Sequence, residues 1–366
     1  MTEVVEVTGS LSDFIRFPLD LYRGHPCYIP QLTRDQREHF SPQNPFFEGA
    51  RVRFFMARSH GRFAGRIAAF INPAHNRYHR DRTGFFGFFD AIEDTHTARA
   101  LCERAAEALK EEGMTLMRGP LNFSTNEECG LLVEGFESPA KIMMPYNFPY
   151  YDGLMNACGL RKARDLYAYI YETAERLPEK VKRVAAIAEK RGVTVRPISM
   201  KRFAGEMEIF REVYHSAWGK NWGFVPMSDA ELAYASSKLK QIVVPELTMV
   251  AEEDGRPVGF MGLVPDANMV LSHMGGSLNP LSLIKALYYS RRITDLRLML
   301  LGIRQEFRNR GVEALLFREG YAAVRKGGFR RIEFSWILEE NIPIQNIIEM
   351  IGGRLYKRYR IYEKDI

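Results

Sequence analysis

The stretch RQEFRNRGVEALLFREGYAAVRK, residues 304–326, joins an apolar run to an amphipathic helix. The apolar run, residues 296–303, has the composition of a buried strand. Arg308, Arg310 and Gly311 lie at the join. Such a turn favours an anion, because the first N–H groups of a helix lack intrahelical partners and the helix dipole is positive there. The stretch therefore predicts a strand, an anion-binding turn and a helix, in that order.

Composition limits the kinds of protein this chain can be. Its 366 residues, 46% of them hydrophobic, can bury a large core and predict two domains rather than one. The net charge is only +6 and 45 residues are acidic, which favours local sites for anionic ligands over a nucleic-acid-binding surface. The four cysteines are scattered without a CxxC pair, so we expect reduced thiols in a cytoplasmic protein, and no metal site. We expect no signal peptide, because the first residues have neither a basic nor an apolar region, and no apolar run reaches the ~20 residues that span a bilayer.

Two short patterns recur at nearly the same spacing. Residues 57–65 and 251–259 both read Ala-x3-Gly-Arg-x2-Gly, at an offset of 194. Residues 159–169 and 352–362 share a glycine, an arginine and a terminal tyrosine, at an offset of 193. The first pattern predicts a hairpin with a glycine turn. Two matches at nearly one offset predict duplicated domains.

The order of predicted elements is similar in the two halves. We predict domains at residues 1–175 and 176–366, each a mixed twisted sheet flanked by helices, which is an α/β (α+β) fold. Long segments interrupt the halves at different places, residues 119–148 in the first and 265–293 in the second. Loops of this length in compact domains usually cover or bind something.

A mixed sheet with a strand, a basic glycine turn and a helix resembles the GNAT superfamily of acyl-CoA-dependent N-acyltransferases. In that family the pattern Arg/Gln-x-x-Gly-x-Gly/Ala holds the CoA pyrophosphate on backbone amides. Arg308 and Gly311 match it, Glu313 replaces the small last residue, and Ala314 follows. The resemblance implies an acetyl-CoA or longer acyl-CoA site in the second half. The residues it implicates are Leu300, Leu301, Gly302, Ile303, Arg308, Asn309, Arg310, Gly311, Val312, Ala314 and Asn341.

Other family positions are matched only in part. Asn341 matches an asparagine that often lies beside the pantetheine, whereas Ile348 stands where the family has a tyrosine acid. In the first half the corresponding turn, residues 92–96, is acidic and has no glycine. The resemblance thus implies a tandem GNAT of the bacterial kind, whose first domain has lost CoA binding.

Acyl transfer from a thioester to an amine needs a neutral amine, a polarised carbonyl and a proton for the thiolate. His273 is one candidate base, because histidine is the side chain most often used as a general base near neutral pH; an ordinary loop histidine is the alternative. Glu127 and Glu128 could act as bases or bind an amine, although such a polar stretch is often just a capped loop. The family resemblance implies direct attack without a covalent enzyme intermediate.

Two segments are candidates for binding the acceptor. The segment 218–224 contains two tryptophans, glycines and a phenylalanine, which indicates either an aromatic wall around an apolar ligand or a packed turn over the core. A polar segment follows residue 121 in the first half. The predicted substrate-binding residues are Trp218, Asn221, Trp222, Phe224, Asn122 and Ser124.

Residues 282–292 form a predicted amphipathic helix with a basic end. It could shelter an acyl chain or rest on a membrane surface as a peripheral contact, but we expect it to pack on its own domain.

These observations predict an acyltransferase that moves an acyl group from acyl-CoA to a primary amine of a small molecule or lipid. One alternative takes the acyl group from acyl carrier protein, whose acidic surface would meet Arg308, Arg310 and Arg318. The other alternative is a non-catalytic protein that binds CoA or another ligand on the same scaffold.

Overall fold

The computed structural model describes residues 2–366, which divide into two compact units. Unit 1 comprises residues 2–167, Val270–Tyr288 and Lys357–Ile366, and unit 2 comprises Ala168–Met269 and Tyr289–Tyr356. Each unit therefore includes segments that are far apart in the sequence. The domain division predicted at residues 175 and 176 stays a prediction.

Unit 1 is built on a sheet in which β1 to β5 are neighbours in chain order, followed by β13, and in which β6 also pairs with β13. All of these pairs are antiparallel except β4 with β5. The elements are β1 (Thr2–Glu6), α1 (Ser12–Leu21), α2 (Thr33–His39), β2 (Arg51–Ser59), β3 (Arg62–Ile71), α3 (Pro73–His79), β4 (Thr83–Ala91), α4 (Thr95–Glu111), β5 (Leu116–Gly119), β6 (Leu131–Glu134), α5 (Tyr151–Ala157), the first part of β7 (Arg161–Glu172) and most of β13 (Arg354–Asp365).

Unit 2 has the sheet order β7-β12-β11-β10-β9-β8, where β7 takes part from Ala168 onward. In this sheet β11 pairs with β12 in parallel, and β10 pairs with β9 and β11 antiparallel. The elements, in chain order, are α6 (Glu179–Lys190), β8 (Val193–Pro197), α7 (Phe203–Trp218), α8 (Asp229–Leu239), β9 (Thr248–Glu253), β10 (Arg256–Pro265), β11 (Asp295–Ile303), α11 (Val312–Lys326), β12 (Arg331–Leu338) and α12 (Ile342–Met350). Between β10 and β11 lie α9 (Asn268–Leu271) and α10 (Pro280–Ser290), and the Val270–Tyr288 part of this segment belongs to unit 1.

The predicted hairpins are confirmed, and they are equivalent in detail. Ala57 pairs with Gly65 between β2 and β3, and Ala251 pairs with Gly259 between β9 and β10. Each ladder has one register shift at the bulge. The turn glycines Gly61 and Gly255 have φ of 77° and 76°, a left-handed conformation that glycine adopts without strain.

The second glycine of each repeat lets a helix lie close to the sheet. A β carbon on Gly65 would stand 2.7 Å from Leu101 of α4, and one on Gly259 would stand 3.2 Å from Val312 of α11. The helix α4 directly follows β4, α11 follows β11, and both present a buried apolar face to the sheet. The repeat therefore marks the same packing site twice, which supports the tandem α/β architecture.

Candidate functional site

The clearest opening in the sheet of unit 2 lies where β11 and β12 part. Their parallel pairing runs from Asp295 with Arg331 to Leu298 with Phe334, and β11 then continues to Ile303 paired with β10. At this point Met299 has no partner in the β10 ladder, because Leu298 and Leu300 pair with consecutive residues of β10. Such a bulge takes one residue out of the ladder and bends the strand. The parting and the bulge together leave room for a ligand beside the backbone of β11.

The predicted turn and helix follow β11 as expected. α11 begins at Val312, and Gly311 before it has a φ of 85°. A β carbon on Gly311 would stand 2.9 Å from both the Cγ1 and the carbonyl oxygen of Val184 in α6. The glycine is thus required by the turn conformation and by the packing of α6, whatever the turn binds.

The arginines around this turn are paired with protein groups. Arg308 donates to the carbonyl of Ala217 at 2.6 Å, and Arg310 lies 2.7 Å from the carboxylate of Glu253. An ion pair at a partly exposed site contributes ~0–1 kcal/mol, so an incoming phosphate can replace it at small cost. Val312 and Ala314 are buried in the core, so only their backbone groups are available to an anion.

The structure brings the predicted aromatic wall onto the predicted cofactor strand. A β carbon on Gly302 would overlap the indole ring of Trp218, so the ring covers the backbone of β11. The rings of Trp218 and Phe224 lie 5.2 and 5.1 Å from that of Tyr214. Asn221 donates its backbone N–H to the carbonyl of Trp218 at 2.7 Å. The segment is therefore an aromatic cover packed at the end of β11.

A small cavity of about 30 Å³ lies beside the bulge, enough for one or two water molecules. Its lining is mainly apolar: Ile198, Phe203, Glu206, Met207, Phe210, Leu239, Val243, Thr248, Phe260, Gly262, Val264, Met299 and Leu300. Glu206 is held by Arg196 at 2.9 Å. The hydroxyl of Thr248 is buried and has no partner among residues 2–366, so it can hydrogen-bond a ligand that enters the cavity.

A buried polar cluster at the parting of β11 and β12 was missed by the sequence analysis. Glu333 is fully buried on β12 and accepts hydrogen bonds from the hydroxyls of Ser335, at 2.6 Å, and Tyr356. Arg297, its ladder partner on β11, donates to the Ser335 hydroxyl at 2.9 Å. Tyr356 is only half-buried. The cluster therefore links a buried carboxylate to a more exposed hydroxyl.

A sequence signal for this cluster existed. Glu333 and Ser335 alternate with Ile332, Phe334 and Trp336, so both fall on one face of a strand that is otherwise apolar. Ile348, where the family has a tyrosine acid, is fully buried in the core. Ile348 therefore supplies no hydroxyl, whereas Tyr356 places one beside Glu333.

In unit 1 the predicted polar residues do lie together. Glu127 lies 3.3 Å from Nε2 of His39, and Glu128 accepts from the amide of Asn122 at 3.0 Å. Ser124 accepts from the backbone of Asn126 at 3.2 Å. This arrangement combines carboxylates, an amide and a hydroxyl in one loop.

That loop occupies the place in unit 1 that corresponds to the opening in unit 2. β4 has a bulge at Phe88, whose φ is 49°, and the backbone N–H of Phe88 donates to Asn122 at 2.9 Å. A β carbon on Gly87 would overlap the carbonyl oxygen of Leu121. The bulge amide of unit 1 is therefore already hydrogen-bonded by its own chain.

Two predicted residues remain apart from these clusters. His273 is exposed on the Val270–Tyr288 segment of unit 1, and its role as a base stays a prediction. Asn341 is exposed at the residue before α12 and does not cap the helix with its side chain. Its contact with pantetheine likewise stays a prediction.

No family model matches the chain. Two bacterial proteins are similar over almost the whole length. Protein YghO of Escherichia coli is 36% identical over 98% of this chain and 93% of that protein. The bacterial ceramide synthase of Caulobacter vibrioides is 32% identical over 98% of this chain and 96% of that protein.

Solved structures show the same fold at lower identity. A tandem GNAT protein from the clavulanic acid biosynthesis pathway has a TM-score of 0.57 at 13% identity, covering 100% of this chain and 98% of that one. A GCN5-related N-acetyltransferase from Sphaerobacter thermophilus has a TM-score of 0.55 at 13% identity, covering 99% and 95%. The chain has the fold of the GNAT N-acetyltransferases, and it belongs to the bacterial family that contains YghO and the Caulobacter ceramide synthase.

Proposed function

We propose that the chain is an N-acyltransferase that moves an acyl group from acyl-CoA to the primary amine of a long-chain lipid. The observation that carries the proposal is the parting of β11 and β12 at Leu298 and Phe334, followed by the bulge at Met299. Similarity to a bacterial ceramide synthase over nearly the whole chain supports a lipid acceptor. A ceramide is an amide of a long-chain amino alcohol, so the acceptor class would be a long-chain 2-amino-1,3-diol.

The residues around the opening fit an acyl-CoA. The first-turn N–H groups of α11 and the cations Arg308 and Arg310 suit a pyrophosphate. The indole N–H of Trp336, beyond the last β11–β12 pair, is buried without a partner among residues 2–366. An orphaned buried donor costs ~1–3 kcal/mol, which a ligand acceptor would relieve. When bound, acyl-CoA supplies an acyl group activated as a thioester.

The chemistry requires a new C–N bond, loss of the C–S bond, and transfer of one proton from the amine to the departing sulfur. A backbone N–H at the Met299 bulge would polarise the thioester carbonyl. Tyr356 would take the amine proton at its hydroxyl while its own proton passes to Glu333 through that hydrogen bond. The reverse transfer, from Glu333 through Tyr356, would then give one proton to the departing sulfur. Arg297 would hold Ser335, and through it Glu333, in place.

Unit 1 would contribute structure rather than a second acyl site. The bulge N–H of Phe88 is already bonded to Asn122, and the acidic turn after β4 has no glycine. The same Asn122 also donates to Glu128. These contacts support the view that only unit 2 holds acyl-CoA.

The test is thiol release and amide formation by the full chain. Acyl-CoAs from acetyl to palmitoyl would be offered with a long-chain 2-amino-1,3-diol or with short primary amines, and the amide would be identified by mass spectrometry. We expect amide with the long-chain acceptor, and its loss in Glu333→Gln. Tight CoA binding without thiol release would favour the non-catalytic alternative, and release only from acyl carrier protein would favour that donor.

A side chain at Gly311 cannot be used to probe the turn, because its β carbon would meet Val184 of α6. Arg310→Ala is the better probe, since it removes a cation but leaves the turn intact. Its matched control is Arg318→Ala. Arg318 lies further along α11 and forms an ion pair with Glu189 of α6. We expect weaker CoA binding in the first variant and unchanged binding in the second.

A further inference from the structure

The α10 helix turns its large apolar side chains outward. Ile284 is 67% exposed, Leu281 and Leu287 are each 63% exposed, Leu283 is 53% exposed and Tyr288 is 49% exposed. The small Ser282 is the buried residue of this helix. The expectation that this segment packs on its own domain is therefore wrong for its apolar face.

The helix is held firmly in spite of this exposure. Asn279 and Ser282 cap its start reciprocally, with N–H to side-chain oxygen distances of 2.8 and 2.9 Å, and Pro280 follows the cap. The preceding loop is tied to unit 1, because Thr33 donates its backbone N–H to the carbonyl of Gly276 at 3.0 Å. The cap and the anchored loop stabilise the helix, so it does not need to bury its apolar face to stay folded.

The five exposed side chains form one stripe. At 100° per residue they fall within an arc of about 160°. Lys285 lies about 40° beyond one edge of that arc and is exposed. Arg291 and Arg292 follow the helix, and residues 267–294 contain no aspartate or glutamate. The helix thus has an apolar stripe, and the only Lys, Arg, Asp or Glu side chains of residues 267–294 are basic; we name residues 281–288 the α10 face.

We propose that the α10 face binds the surface of a membrane containing anionic lipid, with its apolar stripe in the acyl–headgroup boundary. A short helix with bulky apolar residues on one side and basic residues at the margin is typical of interfacial binding. A second copy of the chain fits less well, because it would bring two basic margins together. One such helix also exposes too little surface for the ~800 Å² per partner of a stable dimer.

This inference goes beyond the proposed function but deepens it, since a lipid amine resides in such a surface. Among residues 2–366 no helix has the length and hydropathy needed to cross a bilayer. Interfacial contact by α10 would give the protein access to a lipid acceptor without a membrane span.

The experiment is vesicle flotation of the full chain without acyl donor or acceptor. Vesicles of phosphatidylcholine alone and of phosphatidylcholine with phosphatidylglycerol would be compared. We expect flotation with the anionic vesicles and at least tenfold weaker binding in Leu281→Ser/Ile284→Ser/Leu287→Ser. Lys285→Glu should weaken binding to anionic vesicles only. Ile187→Ser, at a 50% exposed isoleucine on α6, is the matched control and should float like the parent protein.

Three results would overturn the inference: no flotation of the parent protein, equal flotation of the triple variant, or equal loss in the Ile187 control. A parent protein that is dimeric without vesicles, and a triple variant that is monomeric, would assign the α10 face to a second copy. The proposed function is tested separately with short-chain donors and detergent-dispersed acceptor. Flotation without acyl transfer would then contradict the function alone, and acyl transfer without flotation would contradict the inference alone.

Discussion

The indole ring of Trp218 lies directly on the α carbon of Gly302, at the end of the strand that borders the candidate acyl-CoA site. Glycine is needed there because a β carbon would overlap the ring. Trp218 is the last residue of α7 and is half-buried. The contact therefore couples the aromatic cover to the strand backbone.

Gly302→Ala should displace this cover. We expect the KM for acyl-CoA to rise ~tenfold, equivalent to ~1.4 kcal/mol, with a small loss of melting temperature because the ring is half-buried. Gly262→Ala is the stability control, since its β carbon would have no heavy atom closer than 3.5 Å. An unchanged KM in Gly302→Ala would show that the cover does not border the donor site.

Glu333→Gln should lower kcat strongly while preserving the fold. Glutamine has the same shape but lacks the negative charge that accepts hydrogen bonds from Ser335 and Tyr356 and balances the charge of Arg297. We therefore expect a ~100- to 10,000-fold fall in kcat. Tyr356→Phe should lower kcat by a similar factor, and the double variant little further, because the two groups act together. Glu340→Gln, an exposed glutamate just after β12, is the control. A loss of melting temperature with unchanged kcat would mean that the cluster is only structural.

Gly65→Ala and Gly259→Ala should both destabilise the chain. In each case the new methyl would press on a helix packed over the sheet, at 2.7 Å from Leu101 of α4 or 3.2 Å from Val312 of α11 in the unrelaxed structure. We expect a loss of ~1–3 kcal/mol in the free energy of unfolding, measured by urea denaturation. Gly205→Ala, exposed in α7 with open space around it, should instead be neutral or stabilising by ~0.5–1 kcal/mol.

His75 should make the stability depend on pH. Burial lowers the pKa of its imidazole from 6.5 to about 4, and the neighbouring charge of His79 adds to this effect, whereas Asp81 opposes it. Between these values the unfolded chain binds a proton that the folded chain excludes. Stability is therefore full above about pH 6.5 and falls toward pH 4, by up to ~3 kcal/mol.

Urea denaturation at several pH values checks this, with His75→Gln as the comparison. The variant should lose less stability than the parent protein between about pH 6.5 and pH 4. Equal losses in both proteins would assign the dependence to other groups.

Asn122→Ala should separate the roles of the two units. It leaves the bulge N–H of Phe88 and the carboxylate of Glu128 without this partner, which we expect to cost ~1–3 kcal/mol of stability. Turnover at a temperature well below unfolding should stay within about twofold of the parent, because the proposed acyl site lies in unit 2. A fall in kcat without a fall in stability would place catalysis in unit 1.

Local patterns were enough to predict several parts of this fold. The hairpins followed from the repeated glycine turns, in which His60–Gly61 and Asp254–Gly255 both adopt the left-handed conformation. The strand, turn and helix around Gly311 followed from apolar periodicity and from a basic turn. These are short-range properties, and the chain encodes them within about twenty residues.

The sequence by itself therefore determined the duplicated α/β architecture and the order of elements that resembles a GNAT. Only the tertiary structure decided what depends on register and on contact between distant segments. Arg297 meets Glu333 because the parallel register of β11 and β12 aligns them. Gly311 faces α6, and Trp218 covers Gly302, across gaps of more than eighty residues. The sequence could not predict that the apolar face of α10 points outward. Amphipathic spacing determines which residues share a helix face, but not whether that face is buried in the core or exposed to solvent.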